Sequence, residues 1–371
     1  MSRWTGLTWD HPRGYEALRA AVLATAAPDC DLTWDIQPLE GFEAAPIGVT
    51  AQRYDLIVLD HPHVGEALAQ NALRPVDDLF GPDEIASWDL DSAGPSMRSY
   101  RMDGRLWALP LDAATQVAVV ADTSVAIPQT WSAAVELAHH VESRVPTSGP
   151  HPFLTLCSIA IADGAQPGQG PTFLSAAAVG AAVETLRHFI PADCPRDVVD
   201  NPITLLDAMA AGTGPVYCPH VYGYVNYARS APALTFGDAP LGSSGRRGAV
   251  LGGTGIAFSA LREEPDSALL DHVRWLMNPD VQRGFLVDHA GQPGSATAWR
   301  DAAVDNASNG FFSGTRVTLD ESWIRPRGNG AIAFQQHAAD EVRRCLFDHQ
   351  DTDRLARELD RLHADYLSGI R

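Results

Sequence analysis

The stretch Leu7-Thr8-Trp9-Asp10-His11-Pro12-Arg13-Gly14 predicts a short strand that ends in a polar loop, followed by a helix that begins near Gly14. A second stretch, Leu56-Ile57-Val58-Leu59-Asp60-His61-Pro62-His63, has the same order, because an apolar strand again ends in Asp-His-Pro before a helix. In an open α/β sheet, ligands bind in the crevice outside the carboxyl ends of the strands. Two strand ends that carry the same polar triplet therefore predict one shared site.

The segments around these two stretches predict a parallel sheet. Residues 15–26 have the periodicity of an amphipathic helix, and residues 31–36 alternate like a half-buried strand. Residues 54–59 form a mostly apolar run, which is typical of a parallel strand buried on both faces. Strand, helix and strand in this order predict a βαβ unit at the start of a doubly wound sheet.

Later segments continue the α/β pattern. Residues 101–111 predict a hairpin, residues 115–121 a strand, and residues 112–114 between them a place where the chain passes from one lobe to another. Residues 249–258 predict a strand that enters a tight turn at the glycine-rich residues 252–255. Helices are predicted at residues 130–141, 153–162, 176–189, 203–211, 266–277, 279–288, 331–349 and 352–367.

Composition excludes several classes of partner and chemistry. A chain of 371 residues suits two domains. The formal net charge of −19 argues against nucleic acid and anionic membranes as partners, because both are negatively charged. All 27 basic residues are arginine, which excludes lysine Schiff-base, pyridoxal-phosphate and Walker-lysine chemistry.

The spacing of the cysteines indicates their chemical state. The five cysteines have no CxxC motif or zinc spacing and predict reduced, buried thiols, with Cys218 as an exception to watch because its surroundings are polar. They are Cys30, Cys157, Cys194, Cys218 and Cys345.

There is no signal-peptide pattern and no apolar run near the ~20 residues that span a bilayer. We therefore expect no membrane insertion and a cytoplasmic protein, or an extracytoplasmic one if the start is trimmed.

The histidines and aspartates at the two strand ends leave three hypotheses open. His11 or His61, oriented by Asp10 or Asp60, could act as a general acid or base. The same residues could bind a metal together with other histidines. Alternatively, they hydrogen-bond a polar ligand or fix the loop backbone. The further histidines considered as metal ligands are His63, His220 and His289.

Many segments resemble, in the family's order, the bacterial extracellular solute-binding proteins of family 1, the sugar-type substrate-binding components of ABC transporters. The segments are YDLIVLD (54–60), LRPVDDL (73–79), DGRLWALPLD (103–112), PQTW (128–131), MAAG (209–212), YGY (222–224), PLG (240–242), LGGTGIA (251–257), WLMNPDVQ (275–282), GQPG (291–294) and RPR (325–327). They cover nearly the whole chain.

The resemblance implies a two-lobed α/β fold of the periplasmic-binding-protein type (type II), with two or three crossovers and a ligand cleft that closes by hinge motion. The first lobe is expected to comprise residues 1–112 and 232–304, and the second residues 113–231 and 305–371. The implied partners are a small-molecule ligand and an ABC permease, the protein is expected to be a monomer, and no cofactor is expected.

Two features depart from the family. Both Asp-His-Pro loops are unlike ordinary sugar binders, and Thr254 stands where the family has a stacking tryptophan. A first hypothesis is therefore a binding protein for a small polar metabolite that is carbohydrate-like or carboxylated. A second is a cytoplasmic enzyme or metabolite sensor on the same scaffold, with His11, His61, Asp10 and Asp60 as its acid–base groups and Arg13 stabilising an anion.

The binding hypothesis assigns a role to each candidate residue. Trp9 would stack on the ligand, the aspartates would accept hydrogen bonds, the histidines would donate them, and Arg13 would hold a carboxylate or phosphate in a bidentate manner. Backbone amides of residues 252–255 would complete the wall. The predicted ligand-binding residues are Trp9, Asp10, His11, Arg13, Asp60, His61, Asp112, His220, Tyr222, Gly253 and Thr254.

Overall fold

The computed structural model describes residues 3–24, 30–170, 172–191 and 200–369. Within these residues the strands are β1 (Arg3–Trp9), β2 (Asp31–Gln37), β3 (Leu56–Leu59), β4 (Leu73–Arg74), β5 (Arg101–Met102), β6 (Arg105–Leu106), β7 (Leu109–Val120), β8 (Tyr217–Tyr222), β9 (Thr235–Gly237) and β10 (Leu251–Ser259).

The α-helices of the first third are α1 (Pro12–Ala24), α2 (Leu39–Ala44), α3 (Ile47–Arg53), α4 (Val64–Ala69), α5 (Pro82–Leu90), α6 (Ser96–Ser99) and α7 (Trp131–Ala138). The next are α8 (His151–Ala162), α9 (Ala176–Arg187), α10 (Pro202–Ala210), α11 (Val225–Arg229) and α12 (Ser267–Leu276). The last are α13 (Pro279–Val281), α14 (Ala296–Arg300), α15 (Ala302–Asn306), α16 (Phe311–Asp320), α17 (Ala331–Phe347) and α18 (Thr352–Ser368). Short 3₁₀ turns span His61–His63 and Val76–Asp78, and a π-helical turn spans Gln282–Leu286.

The central sheet has the strand order β2-β1-β3-β10-β7-β8. β1 pairs in parallel with both β2 and β3, so the predicted βαβ start is confirmed. β10 runs antiparallel to β3 and β7, and β7 runs antiparallel to β8. Because β1 and β3 are parallel neighbours, their carboxyl ends, which precede the two Asp-His-Pro loops, lie at the same edge of the sheet.

Two hydrophobic cores divide the molecule into two lobes. The first core contains Trp4, Leu56, Leu109 and Phe258, and its members come from residues 4–111 and 256–286. The second core contains side chains of residues 113–251 and 287–359, and Ala93 joins it. The predicted two-lobed α/β fold is confirmed. No helix in the described part of the chain is both long and apolar enough to cross a membrane.

The chain passes between the cores within continuous strands. Along β7, Leu109 and Leu111 pack in the first core, whereas Val117 packs in the second. Along β10 the order is reversed, with Leu251 in the second core and the residues from 256 onward in the first. The third passage lies at residues 286 and 287. The paired strands β7 and β10 therefore connect the two lobes.

The cores divide the chain differently from the predicted lobe bounds. The prediction gave residues 232–304 to the first lobe. Within that stretch, Phe236, Val250, Val287 and Trp299 pack in the second core. The apolar pattern that marks these segments as buried does not specify which of two cores buries them. We propose that residues 234–251 and 287–304 belong to the second lobe.

Some local predictions were wrong at the level of geometry. Residues 252–255 do not form a tight turn, because they lie inside β10, which carries a bulge between Thr254 and Gly255. The helix expected over residues 279–288 is α for one turn only and then widens into the π-helical turn. The predicted end of α1 near residue 26 lies outside the described residues.

The described cysteines are free thiols. Cys157, Cys218 and Cys345 are buried and Cys30 is partly buried, whereas Cys194 lies outside the described residues. Cys218 packs in the second core, so the expectation that it would lie in polar surroundings was wrong.

Candidate functional site

A small cavity of about 50 Å³ lies where the two lobes meet. The first lobe contributes the end of β1, the helix α2 and the residue after β3, and the second contributes the end of β8 and the loop that follows it. The strands β7 and β10 close its back. Its lining residues are Trp9, Arg13, Leu39, Phe42, Glu43, Asp60, Ala114, Tyr222, Tyr224, Gly252, Gly253 and Thr254.

The glycines of β10 allow the back wall to form. The ring of Tyr222 lies against Gly252, where an added Cβ would come within 2.5 Å of the ring. Gly253 has φ of +88°, and a Cβ there would lie 2.4 Å from the carbonyl oxygen of Asp112. A side chain at either position would therefore displace the Tyr222 ring or the neighbouring strand. This explains the glycine-rich sequence without a phosphate-binding role.

Arg13 and Asp112 form a buried, bidentate ion pair beneath the cavity. The guanidinium donates from Nε to Oδ2 of Asp112 at 2.6 Å and from Nη2 to Oδ1. A third donor, Nη1, reaches the carbonyl oxygen of Gly223 at 3.1 Å, and the guanidinium carbon lies 4.4 Å from the ring centre of Tyr224. Asp112 thus occupies the Nε and Nη2 edge of Arg13, and three of its five N–H groups bond to the protein. Arg13 also lines the cavity, and its contact with a ligand carboxylate or phosphate stays a prediction.

Burial acts oppositely on the two members of this pair. Burial lowers the pKa of Arg13, but the adjacent Asp112 carboxylate outweighs it, so the pKa of Arg13 is raised. Burial raises the pKa of Asp112 above its ordinary value, although Arg13 opposes the shift. The pair is stable only as long as both partners are present, because either charge alone would be buried without compensation.

Asp60 has a second ion pair with Arg325. Nη2 of Arg325 donates to Oδ2 of Asp60, and its Nη1 donates to Oε1 of Gln335 at 3.0 Å. The other carboxylate oxygen of Asp60 accepts from the backbone N–H of His61 at 2.8 Å, as an N-cap of the 3₁₀ turn. Burial alone would raise the pKa of Asp60, but the charge of Arg325 outweighs it and holds that pKa well below its ordinary value. Arg325 was not predicted as a site residue, although the sequence RPR was noted.

Glu43 is the third carboxylate at the cavity. It lies on α2, and its Oε1 is 3.5 Å from Nε2 of His151, at the first turn of α8 in the second lobe. Burial raises the pKa of Glu43 to about 8, opposed by Arg325 and assisted by Asp60 and Glu40. No sequence pattern indicates this residue, because its helix is only six residues long.

Several polar atoms in or near the cavity have no hydrogen-bond partner. The hydroxyl groups of Tyr222 and Thr254 are buried, and neither contacts another polar atom. Neither ring nitrogen of His151 has a hydrogen-bond partner, although Nε2 lies 3.5 Å from Oε1 of Glu43, and the side chain is 2% exposed. A buried polar group without a partner is costly, so these atoms mark where a ligand or ordered water would be hydrogen-bonded.

Other predicted site residues lie away from the cavity. Asp10 is exposed, and His61 and His220 are fully buried without contributing to its wall. Nε2 of His220 bonds the carbonyl oxygen of Gly248 at 3.0 Å, and its ring packs near Trp131. His61 and His220 are buried because the turn and the strand that carry them direct their rings into the protein interior.

The ring of His11 contacts other protein groups and does not line the cavity. Its Nδ1 accepts the backbone N–H of Arg13 at 3.1 Å, and its ring meets Tyr224 edge-on at 4.8 Å. Burial, followed by the charge of Arg13, lowers the pKa of His11 to about 3. The imidazole is therefore neutral over the physiological range and lies in the contact between the two lobes.

The predicted Asp–His pairs differ from each other. Oδ1 of Asp60 lies 3.0 Å from Nδ1 of His61, but burial lowers the pKa of His61 to about 4 and its ring does not reach the cavity. Asp10 is exposed and makes no such pair with His11. Over residues 3–24, 30–170, 172–191 and 200–369, no three His, Cys, Asp or Glu side chains converge as metal ligands.

A larger cavity of about 710 Å³ lies beyond the C-terminal end of α2. Ala44, Pro46 and Glu66 form the first-lobe side, and the start of α17 with the end of α18 forms the other. Phe334, Leu362 and Tyr366 make part of its wall apolar. The inner cavity and this outer groove are separated by α2, since Glu43 lines the first and Ala44 the second.

The lobes and the cleft between them define the fold of the two-lobed solute-binding proteins of ABC transporters. Solved structures match the chain over its full length. With maltose-bound MalE3 of T. maritima the TM-score is 0.80, at 15% identity over 98% of this chain and 99% of that one. With the GacH receptor of Streptomyces glaucescens, solved unliganded and with acarbose, it is 0.80 at 15% identity over 100% and 99%.

A third match is an ABC transporter solute-binding protein from Agrobacterium radiobacter in complex with ribitol. Its TM-score is 0.77, with 16% identity over 98% of this chain and 97% of that one. No protein-family model matches the sequence, and no curated protein matches it either.

Proposed function

We propose that this protein is a solute-binding protein of the ABC-transporter type, which captures a small, polar, carbohydrate-like metabolite between its lobes. The observation that carries the proposal is the cavity at the meeting point of two lobes in a chain that shares its whole fold with sugar- and polyol-bound proteins. An ABC permease is the partner that this role requires.

The composition of the cavity wall supports a polyhydroxylated ligand. The rings of Trp9 and Tyr222 offer apolar faces of the kind that pack against sugar rings. The unpartnered hydroxyls of Tyr222 and Thr254 and the carboxylate of Glu43 offer donors and acceptors beside those faces. Pockets for small molecules combine apolar walls with a few polar groups in the same way.

Capture requires the lobes to separate first. The cavity of about 50 Å³ is far smaller than the roughly 300–1,000 Å³ that ligand pockets usually occupy. Contacts such as Glu40 to Asn201, with 3.3 Å between Oε1 and Nδ2, and Gly65 to Arg327, with 2.8 Å between N and O, join the lobes directly. Opening would break these contacts while the continuous strands β7 and β10 act as the hinge.

The enzyme hypothesis is less well supported by the site. A general base has to lie within hydrogen-bond reach of the proton that it removes. His11 and His61 are turned into protein contacts, and neither lines the cavity. A binding role therefore accounts for more of the geometry.

The test is calorimetric titration of the protein with neutral mono- and disaccharides and their alditols, including maltose and ribitol, followed by mass spectrometry of the mixture. We expect at least one compound to bind and to be recovered unchanged. Failure of every compound to bind, or recovery of a new product, would overturn the proposal.

A matched pair of variants locates the binding site. Tyr222→Phe removes the unpartnered hydroxyl at the cavity, whereas Tyr217→Phe removes a hydroxyl that is equally buried and unpartnered but belongs to the second core. We expect Tyr222→Phe to weaken binding by about tenfold, since a lost hydrogen bond costs about 1 kcal/mol or more, and Tyr217→Phe to leave it unchanged. Equal effects of the two variants would place the ligand elsewhere.

A further inference from the structure

When Glu43 is ionised, the charged side chains at the inner cavity do not balance. The wall and its immediate support contain three carboxylates, on Glu43, Asp60 and Asp112, and two guanidinium groups, on Arg13 and Arg325. Each arginine is committed to one aspartate, because Arg13 forms its fork with Asp112 and Arg325 bonds Asp60 and Gln335. Glu43 is left without a cationic partner.

In the described part of the chain, no arginine forms an ion pair with Glu43, although the charge of Arg325 acts on it from a longer distance. Among the described residues its one ion-pair contact is His151, and burial followed by the charge of Arg325 lowers the pKa of His151 to about 3. The imidazole is therefore neutral at pH 7. The charges of Asp60 and Glu40 also act on Glu43 and raise its pKa, whereas that of Arg325 lowers it.

The rest of the wall suits a cation. Phe42 lies next to Glu43 on α2, and Trp9 and Tyr222 also line the cavity. Aromatic faces attract cations through the ring quadrupole, and the attraction grows when the site excludes water. The two unpartnered hydroxyls, on Tyr222 and Thr254, are available for the hydroxyl groups of the same ligand.

We propose that the ligand carries a protonated amine which binds Glu43, so that the protein recognises an amino sugar or an amino alditol. The inference rests on the proposed function and specifies its ligand. The ammonium group donates to the Glu43 carboxylate, and the adjacent rings surround it. A neutral sugar of the same shape would form no ion pair with Glu43 and would leave its carboxyl group mostly protonated at pH 7.

Binding of an ammonium group is coupled to a proton. Burial raises the pKa of Glu43 to about 8, so the carboxyl group is mostly protonated at pH 7 when the cavity holds no cation. An ammonium group favours the ionised form, and the proton leaves to solvent as the ligand binds. The charged and titratable groups that face Glu43 are Arg325, Asp60, Glu40 and His151.

The experiment compares pairs of compounds that differ only by an ammonium group in place of a hydroxyl group. The probes are glucosamine with glucose, galactosamine with galactose, and 1-amino-1-deoxyglucitol with glucitol, titrated by calorimetry at pH 7 in two buffers of different ionisation enthalpy. Wild type is compared with Glu43→Gln and with Glu16→Gln. Glu16 is exposed on α1 and does not line the cavity.

We expect at least one amine to bind about tenfold or more tightly than its hydroxyl counterpart, with release of a proton to the buffer. The preference should disappear in Glu43→Gln and persist in Glu16→Gln. Equal or tighter binding of the hydroxyl compounds, or a preference that survives in Glu43→Gln, would overturn the inference and leave the proposed function intact. Absence of binding by every compound of both kinds would overturn both.

Discussion

Replacing Asp112 with asparagine tests whether the ion pair with Arg13 is a structural element of the cleft. The side chains of Arg13 and Asp112 are only 4% and 6% exposed. Asparagine keeps the shape but removes the charge, so the guanidinium stays buried next to a neutral amide. Breaking a buried ion pair by removing one partner costs about 3–5 kcal/mol, because the remaining charge is not compensated. We expect the free energy of unfolding to fall by that amount.

An exposed pair of the same chemistry provides the control. Arg105 donates from Nη2 to Oδ1 of Asp78 at 2.5 Å, but these side chains are 39% and 63% exposed. Exposed ion pairs contribute about 0–1 kcal/mol, because water already solvates both charges. Asp78→Asn should therefore change the stability little. Both variants are compared with wild type by urea denaturation, followed by circular dichroism and by tryptophan fluorescence.

A double variant separates loss of the pair from loss of packing. Arg13→Met in the Asp112→Asn background removes the buried charge, so part of the lost stability should return relative to Asp112→Asn alone. If Asp112→Asn costs no more than Asp78→Asn, or if removing Arg13 restores nothing, the guanidinium is not held by a desolvated pair. The assignment of this pair as a structural element of the cleft would then be wrong.

Three further outcomes follow from the same contacts. Because the pKa of Glu43 is raised from 4.5 to about 8, its ionisation opposes folding. The free energy of unfolding of wild type, measured by urea denaturation, should therefore fall by up to roughly 3 kcal/mol between pH 5 and pH 8, and that of Glu43→Gln should not. Burial lowers the pKa of His220 from 6.5 to about 4, so the neutral ring stabilises the fold fully above pH 6.5 and this stabilisation is lost as the pH falls towards 4. The free energy of unfolding of His220→Phe should therefore fall less steeply than that of wild type over this range. Gly253→Ala should lower the free energy of unfolding by roughly 2 kcal/mol or more, because the added Cβ meets the Asp112 carbonyl. Gly104→Ala, with φ of +75° and open space around it, should lower it by about 1 kcal/mol. Thermal unfolding measures both.

The sequence was sufficient for the placement of the cleft, because apolar runs identify strands and strand ends identify one edge of the sheet. β1 and β3 are parallel neighbours as predicted, so Trp9 and Asp60 reach the same cavity. It was not sufficient for the roles of individual side chains. Arg13 finds its partner 99 residues away, and no local pattern indicates which of several carboxylates that will be.

Histidines beside aspartates were the least reliable signal. In the sequence, Asp60-His61 suggests a polar pair that faces a ligand. In the structure Asp60 caps a 3₁₀ turn with its side chain, and this turn directs the ring of His61 away from the cavity. The residue that does face the cavity, Glu43, lies on a six-residue helix too short to produce a helical period in the sequence.

The loop from Trp9 to Arg13 therefore lines the cavity and also contacts the second lobe. Trp9 forms part of the cavity wall, while His11 and Arg13 contact Tyr224 and Gly223 of the second lobe. Opening of the cleft would separate Arg13 from those second-lobe contacts, but it could keep its bond to Asp112, which lies where β7 passes between the lobes. A guanidinium anchored at the hinge would then rejoin the second lobe whenever the cleft closes. Under the proposed function, closure would bring Trp9 and the second-lobe wall of the cavity together, and this loop would connect the hinge with the proposed binding surface.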